Sequence, residues 1–312
     1  MSRKLRGYFP IMPTAYTADG QVDLASMDRL TRFLVDHGGH GMSPNGGDSE
    51  AAHLSVDERM RVTETVVRAC GGRAGVLVGT TTVDSTPDSV RLCRHAQECG
   101  ADAVFCHPGW NRHGLSADDL ASYYGAVCEG LEIPVMIHGT SDMNVEIITG
   151  LIDRFPQIQY VKEETNHGPR LREYVRALGS RLTIFGPGLH YPAELEWGAL
   201  GVMPSCCVPH IHARVFDLWQ TGHHRESRAE WNRMLPLVFW RWHTAAGEAG
   251  KVYLVDMGVF DTPFVRQQIT VPGHHDGPKA AFGTRRLDEV DHQEMLQVLR
   301  TMGEPMPAPR KG

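Results

Sequence analysis

Lysine is scarce in this chain, with five in 312 residues, at positions 4, 162, 251, 279 and 311. Lys and Arg together number 31 against 37 Asp and Glu, a formal charge of -6, so no broad positive field exists to gather nucleic acid or an anionic membrane surface. Long apolar runs are also missing. The longest spans about 5 to 7 residues, too short for a membrane-crossing helix. The basic start, Met1 to Arg6, meets Pro10 and Pro13 before an apolar signal segment can form, so no export segment is expected. Seven cysteines, at 70, 93, 99, 106, 128, 206 and 207, form an odd set without a CxxC pair, which points to a reduced, cytoplasmic protein.

With 41% hydrophobic and 22% charged residues, the chain has enough apolar material for a sizeable core. Short runs rich in Val and Ile alternate with stretches of helical period, the pattern of a parallel sheet covered by helices. Eight strands are expected, over 8–12, 39–43, 75–79, 103–106, 134–138, 159–162, 182–185 and 201–205. Helices between them include 23–37, 55–70, 87–99, 116–129, 146–155, 170–178 and 191–198. Ser55 with Glu58 makes a capping-box pair, and Ser116 precedes Asp118 and Asp119, both signals of a helix start. This α/β alternation predicts a (β/α)8 TIM barrel over residues 1–225. Beyond it the strand signal fades, and helices over 227–246, 251–257 and 287–302 make a C-terminal all-helical domain, residues 226–302. Residues 303–312, with Pro305, Pro307 and Pro309, read as a disordered tail.

In such a barrel the reactive groups sit at the C-terminal ends of strands. Of the five lysines only Lys162 ends a strand candidate. Burial there favours the neutral amine that attacks carbonyls, making Lys162 a Schiff-base nucleophile; position alone also fits a lysine paired with Glu163 or Glu164. The histidine pairs His210/His212, His223/His224 and His274/His275 lack carboxylate or cysteine partners at matching strand ends, and no metal is expected. Of the neighbours Cys206 and Cys207, which point apart in an extended chain, at most one can line a pocket, taken here as Cys207.

The order and spacing of several segments carry a family likeness. They are Gly7 to Thr14, Gly46-Gly47-Asp48-Ser49-Glu50 with Leu54-Ser55, Val78-Gly79-Thr80, Gly100 to Val104 with Pro108, Ile133-Pro134-Val135, Tyr160-Val161-Lys162-Glu163 and Gly198 to Val202. Together they resemble the dihydrodipicolinate synthase and N-acetylneuraminate lyase family over nearly the whole chain. The resemblance implies a barrel of about 225 residues with a helical C-terminal domain, commonly a tetramer, and an imine between Lys162 and a 2-oxo acid. It also places Thr14, Gly47, Asp48, Ser49, Trp110, Thr165, Gly186 and Met203 at the substrate pocket, the last two of the matched positions through backbone groups.

Departures from that pattern shape the expectation. Gly47 and Asp48 stand where the family has paired threonines, His138 replaces the strand-five tyrosine, and Gly109-Trp110 replaces an aromatic hydroxyl that crosses between subunits. His138 is therefore the expected proton carrier, with Asp48 as a second shuttle or its orienting partner. The residues also allow His138 to fill the tyrosine's volume, Asp48 to cap a turn and Trp110 to pack at an interface. The expected function is a lyase or aldolase-like enzyme in which Lys162 forms an imine with a small carbonyl, 2-oxo-acid-like substrate for C–C cleavage or condensation, with no cofactor beyond that imine. Hydration, dehydration or deamination through the same imine is one alternative. A non-catalytic binding barrel is another, and a metal-dependent hydrolase the weakest. A cytoplasmic homo-oligomer, dimer or tetramer, is expected.

Overall fold

Eight short, mostly buried segments pair as parallel strands: β1 (Gly7–Tyr8), β2 (Gly41–Met42), β3 (Gly75–Gly79), β4 (Ala103–Cys106), β5 (Val135–Gly139), β6 (Ile158–Glu163), β7 (Thr183–Gly186) and β8 (Gly201–Val202). The computed structural model describes residues 4–82, 85–109, 114–244, 246–266 and 287–304. The strand order is β1-β8-β7-β6-β5-β4-β3-β2, and a parallel bridge between Ile11 and Ser43 brings β1 and β2 together to close the barrel. Ser43 N–H donates to Pro10 O at 3.2 Å and Met12 N–H to Ser43 O at 3.0 Å across that seam.

Helices α1 (Leu24–Asp36), α2 (Val56–Cys70), α3 (Thr86–Cys99), α4 (Ala117–Cys128), α5 (Val145–Arg154), α6 (Gly168–Leu178), α7 (Tyr191–Glu196) and α8 (Pro209–Gln220) follow the strands in turn. The start signals of α2 and α4 act as expected. Ser55 with Glu58 and Ser116 with Asp119 form reciprocal capping boxes, satisfying backbone N–H groups that the first turn leaves open. Glycines in the left-handed region, Gly71 at φ 57° and Gly100 at φ 89°, stop α2 and α3 before the next strand.

Past the barrel come α9 (His224–Thr244), α10 (Ala246–Asp256) and α11 (Glu289–Thr301). α10 starts five residues before the sequence pattern indicates, because Ala246-Ala-type small residues and Gly247 and Gly250 carry no apolar period. Strands β1 and β8 are shorter than expected. Pro10 and Pro204, lacking an N–H, cannot extend the ladder as donors. Residues 305–312 of the expected tail lie outside the described residues.

Side-chain alternation along the strands separates two apolar layers. Leu5, Phe9, Leu77, Ala103, Phe105, Met136, Tyr160, Phe185 and Met203 fill the barrel interior, while Val78, Val104, Ile137, Val161 and Ile184 face the helices. Leu5 N–H donates to the Tyr160 hydroxyl at 3.0 Å, so the first described segment of the chain plugs the barrel. All seven cysteines are free. Among the described residues no helix is long and apolar enough to cross a membrane.

Candidate active site

Strands β5 and β6 lie side by side with His138 paired to Lys162. The two-residue period that sends Met136 and Tyr160 into the interior sends His138 and Lys162 the same way one step later, at the C-terminal end of the barrel. Each is 3% exposed. Their side chains meet at one atom: Lys162 Nζ lies 2.5 Å from Glu164 Oε2, and His138 Nε2 lies 2.9 Å from the same oxygen. Phe105 packs edge-on against the His138 ring, with centroids 5.9 Å apart.

The loops that carry these groups are braced from outside. Glu163, pointing away from Lys162, accepts from Thr165 N–H at 2.8 Å, from the Thr165 hydroxyl and from His167 N–H at 3.3 Å. Burial pushes the Glu163 carboxyl above its ordinary range, while its bonds to Thr165 oppose that shift. Arg170 on α6 donates to Thr140 O at 2.7 Å, holding the turn after His138, and His107 Nε2 lies 3.0 Å from Thr140 Oγ1. On the β7 side, buried Glu194 accepts from Gly188 N–H and His190 N–H, each at 2.8 Å. Desolvation raises the Glu194 carboxyl to about 7. Among the described residues four non-glycine residues, Asn45, Glu50, Asn166 and Val208, have positive φ, and all four lie between β2, β6 or β8 and the helix that follows. Such backbone strain collects where surrounding structure imposes a fixed geometry.

The other residues singled out from the sequence are distributed less evenly. Thr165 is tied to Glu163, as above. Thr14 Oγ1 donates to Ser49 O at 2.5 Å, and Ser49 Oγ accepts from Gly46 N–H at 2.9 Å while donating to Met12 O. Gly47 and Asp48 form a short 3-10 turn with Ser49, and Asp48 is 60% exposed with Arg241 of α9 at 3.8 Å. The Gly186 carbonyl accepts from Met203 N–H at 3.0 Å, so these two backbone groups pair with each other. A Cβ at Gly186 would stand 2.1 Å from Glu194 Oε2, so only glycine fits beside that carboxylate. Cys207 packs toward α10, its sulfur 3.9 Å from where a Cβ on Gly250 would be. Trp110 lies outside the described residues.

The histidine pairs are occupied elsewhere. His212 is buried, stacks on Tyr8 at 4.8 Å and is held by desolvation at about 3, while His210 pairs with Glu304 at 2.9 Å. His224 stacks on Trp219 at 4.1 Å, and His274 and His275 lie outside the described residues. Among the described residues, Glu64, His95 and Cys99 are close enough together to hold an ion, but they sit on α2 and α3, the outer layer, not at the strand ends.

Sequence reasoning named Glu164 only as an ion-pair partner open to Lys162, the contact seen here, and assigned no role at the site to His107, Thr140, Arg170 or Glu194. A signal for Glu164 existed, since alternation past Lys162 returns to the same side two residues on. The braces depend on contacts between loops and left no trace in the sequence.

The chain matches the Dihydrodipicolinate synthetase family over residues 4–275. A 4-hydroxy-tetrahydrodipicolinate synthase from Rhizobium meliloti (strain 1021) is 32% identical over 246 residues, 74% of this chain and 81% of that protein. An L-2-keto-3-deoxyarabonate dehydratase from Azospirillum brasilense is 29% identical over 248 residues, 75% of this chain and 78% of that protein. The crystal structure of dihydrodipicolinate synthase from Aquifex aeolicus shares the fold, with a TM-score of 0.84 at 20% identity over 97% of this chain and 100% of that one. With a strand-end lysine inside an eight-stranded parallel barrel and a family match over most of its length, the chain belongs to the dihydrodipicolinate synthetase family, as an enzyme of the Schiff-base-forming, class I aldolase type.

Proposed function

We propose that Lys162 condenses with the carbonyl carbon of a small 2-oxo-acid-like substrate, and that the resulting protonated imine serves as the electron sink for C–C cleavage or condensation. One observation carries this reading: the amine of a 3% exposed lysine at the C-terminal end of β6 is held beside His138 at the barrel mouth. His138 is the proton carrier, replacing a hydroxyl relay with an imidazole. Thr14, Gly47, Asp48, Ser49, Trp110, Thr165, Gly186, Met203 and Cys207 are kept as the wall against which the substrate is tested by substitution. A second reading, loss of water through the same imine, is favoured by similarity to a protein named as a dehydratase. Both reactions pass through the imine. Family membership supports a homo-oligomer, and seven free thiols suit a reducing, cytoplasmic compartment.

Borohydride reduction in the presence of pyruvate, a 3-deoxy-2-oxo sugar acid or an aldose tests the imine. The expected result is a mass adduct on Lys162 with at least one of them, lost in Lys162→Ala. A folded wild-type protein that gives no adduct, or one mapped to another lysine, overturns the proposal.

A further inference from the structure

We infer that Glu164 is the base that removes a proton from the substrate carbon next to the imine, with His138 as the group that relays the proton onward. The inference rests on the Lys162 imine and adds the group that uses it. Its substrate class is narrower than any carbonyl compound: the carbon beside the carbonyl must carry a hydrogen.

Geometry places the carboxylate for this step. Glu164 Oε2 lies 2.5 Å from Lys162 Nζ. In an imine on that nitrogen, the carbon next to the imine carbon lies roughly 2.5 Å from the nitrogen, from ordinary C–N and C–C bond lengths. An oxygen touching Nζ is therefore within contact reach of that carbon's hydrogen, needing only a small rotation. His138 Nε2, 2.9 Å from the same oxygen, fixes where it sits. The Glu164 side chain is 16% exposed but its Oε2 is buried, so a proton taken there leaves through His138 or through the carboxylate's second oxygen.

The step balances. After Nζ adds to the carbonyl and water departs, the protonated imine carries one positive charge and Glu164 one negative charge. Glu164 takes the carbon-bound proton; the C–H electron pair becomes the C=C bond of an enamine, and the C=N π pair moves onto nitrogen. Both charges vanish together. In a site where neither ion is well hydrated, neutralising the pair favours the step. The proton then passes to His138 or to water. From the enamine, attack on an aldehyde forms a C–C bond; loss of a hydroxyl one carbon further, protonated by His138, releases water. A carboxylate that served only as the lysine's counterion has the same contact distance, so the test reads carbon acidity.

The experiment uses the full chain and two readouts: borohydride trapping with pyruvate, a 3-deoxy-2-oxo sugar acid and an aldose, and deuterium uptake from D2O into the carbon beside the carbonyl, followed by NMR. Glu164→Gln should still trap an adduct on Lys162 while exchange falls on the order of 100-fold or more, the usual share of a positioned base. Exchange in a trapping-competent Glu164→Gln within about threefold of wild type overturns the inference and leaves the imine standing. Wild-type protein that traps none of the three compounds overturns the imine itself, and the base with it. Should Glu164→Gln fail to fold, Glu164→Asp keeps the charge but withdraws the oxygen by one methylene; exchange is then expected to fall with trapping retained, and unchanged exchange overturns the inference.

Discussion

Among the described residues two lysines, Lys162 and Lys251, are buried against a glutamate, and we propose different work for each. Lys251 on α10, 1% exposed, donates to Glu50 and to Phe264 O at 2.8 Å, and lies over the Tyr16 ring at 4.4 Å. The second oxygen of Glu50 accepts from Arg266 N–H at 3.0 Å. Desolvation lowers the Lys251 ammonium, and Glu50 opposes that shift. Apart from the bond to Phe264, these contacts join α10 and the 261–266 segment to the loops after β1 and β2. Lys162 shares its carboxylate with an imidazole instead, above the barrel interior, at the end where strands deliver reactive groups. Burial and a carboxylate partner are therefore common to both lysines; what sets Lys162 apart is the companion imidazole and the place in the barrel.

The contrast can be broken by substituting each lysine in turn. Lys162→Ala should abolish trapping and lower turnover on the order of 10^4-fold or more, leaving a cooperative unfolding transition. Lys251→Met should do the reverse. With the buried Glu50 left holding only its bond from Arg266 N–H, unfolding stability should drop by about 3–5 kcal/mol, while the folded fraction still traps substrate on Lys162. Denaturant melts and adduct mapping on the same samples check both. A Lys251→Met protein that melts like wild type would show that Glu50 finds water or another partner, and the stitch would lose its structural role.

A smaller effect sharpens the picture at β7. Glu194 is raised from 4.5 to about 7 by burial, so the sign of its linkage follows. Its contribution is whole below pH 4.5, where the folded and unfolded forms are both protonated, and declines as pH rises through 7. The decline is up to ~3 kcal/mol. Glu194→Gln should flatten stability across that window. It should also cost about 1–3 kcal/mol at the acid end, because an amide cannot accept from both Gly188 and His190. Denaturant midpoints measured from pH 4.5 to 8 provide the check.

These effects rest on features of unequal visibility in the sequence. Strands β3 and β4 could be bounded to the residue because Val-rich runs end at glycine or before a polar turn. Lys162 and His138 were legible for a related reason: a two-residue period through Tyr160 and Met136 fixes the face of each side chain, whatever follows. Glu164 lies one residue beyond the end of β6, where the backbone direction is set by Glu163 gripping Thr165 and His167. Asp48 has the same difficulty. Its residue type and place in the chain suggested a group facing the substrate, but the direction of a short turn depends on Ser49 and Thr14 bonding to distant backbone, and on Arg241 from α9. Periodicity reads the strands and stops where loops begin.

The smallest expected effect runs opposite to that of Glu194 and belongs to the Lys251 side of the molecule. Glu58, in the first turn of α2, pairs with the Arg266 guanidinium at 2.9 Å and also accepts from Ser55 N–H, which holds its carboxyl at about 2 against an ordinary 4.5. A lowered carboxyl adds stability that is whole above pH 4.5 and lost as pH falls through 2. Because water reaches the edge of this pair, its contribution should be about 1–2 kcal/mol. Arg266→Gln should remove most of the acid limb and leave the neutral limb, set by Glu194, in place. The two substitutions lie in α7 and in the 261–266 segment and share no partner, so their effects should add. An acid limb that survives Arg266→Gln would assign the effect to the Ser55 cap rather than to the ion pair.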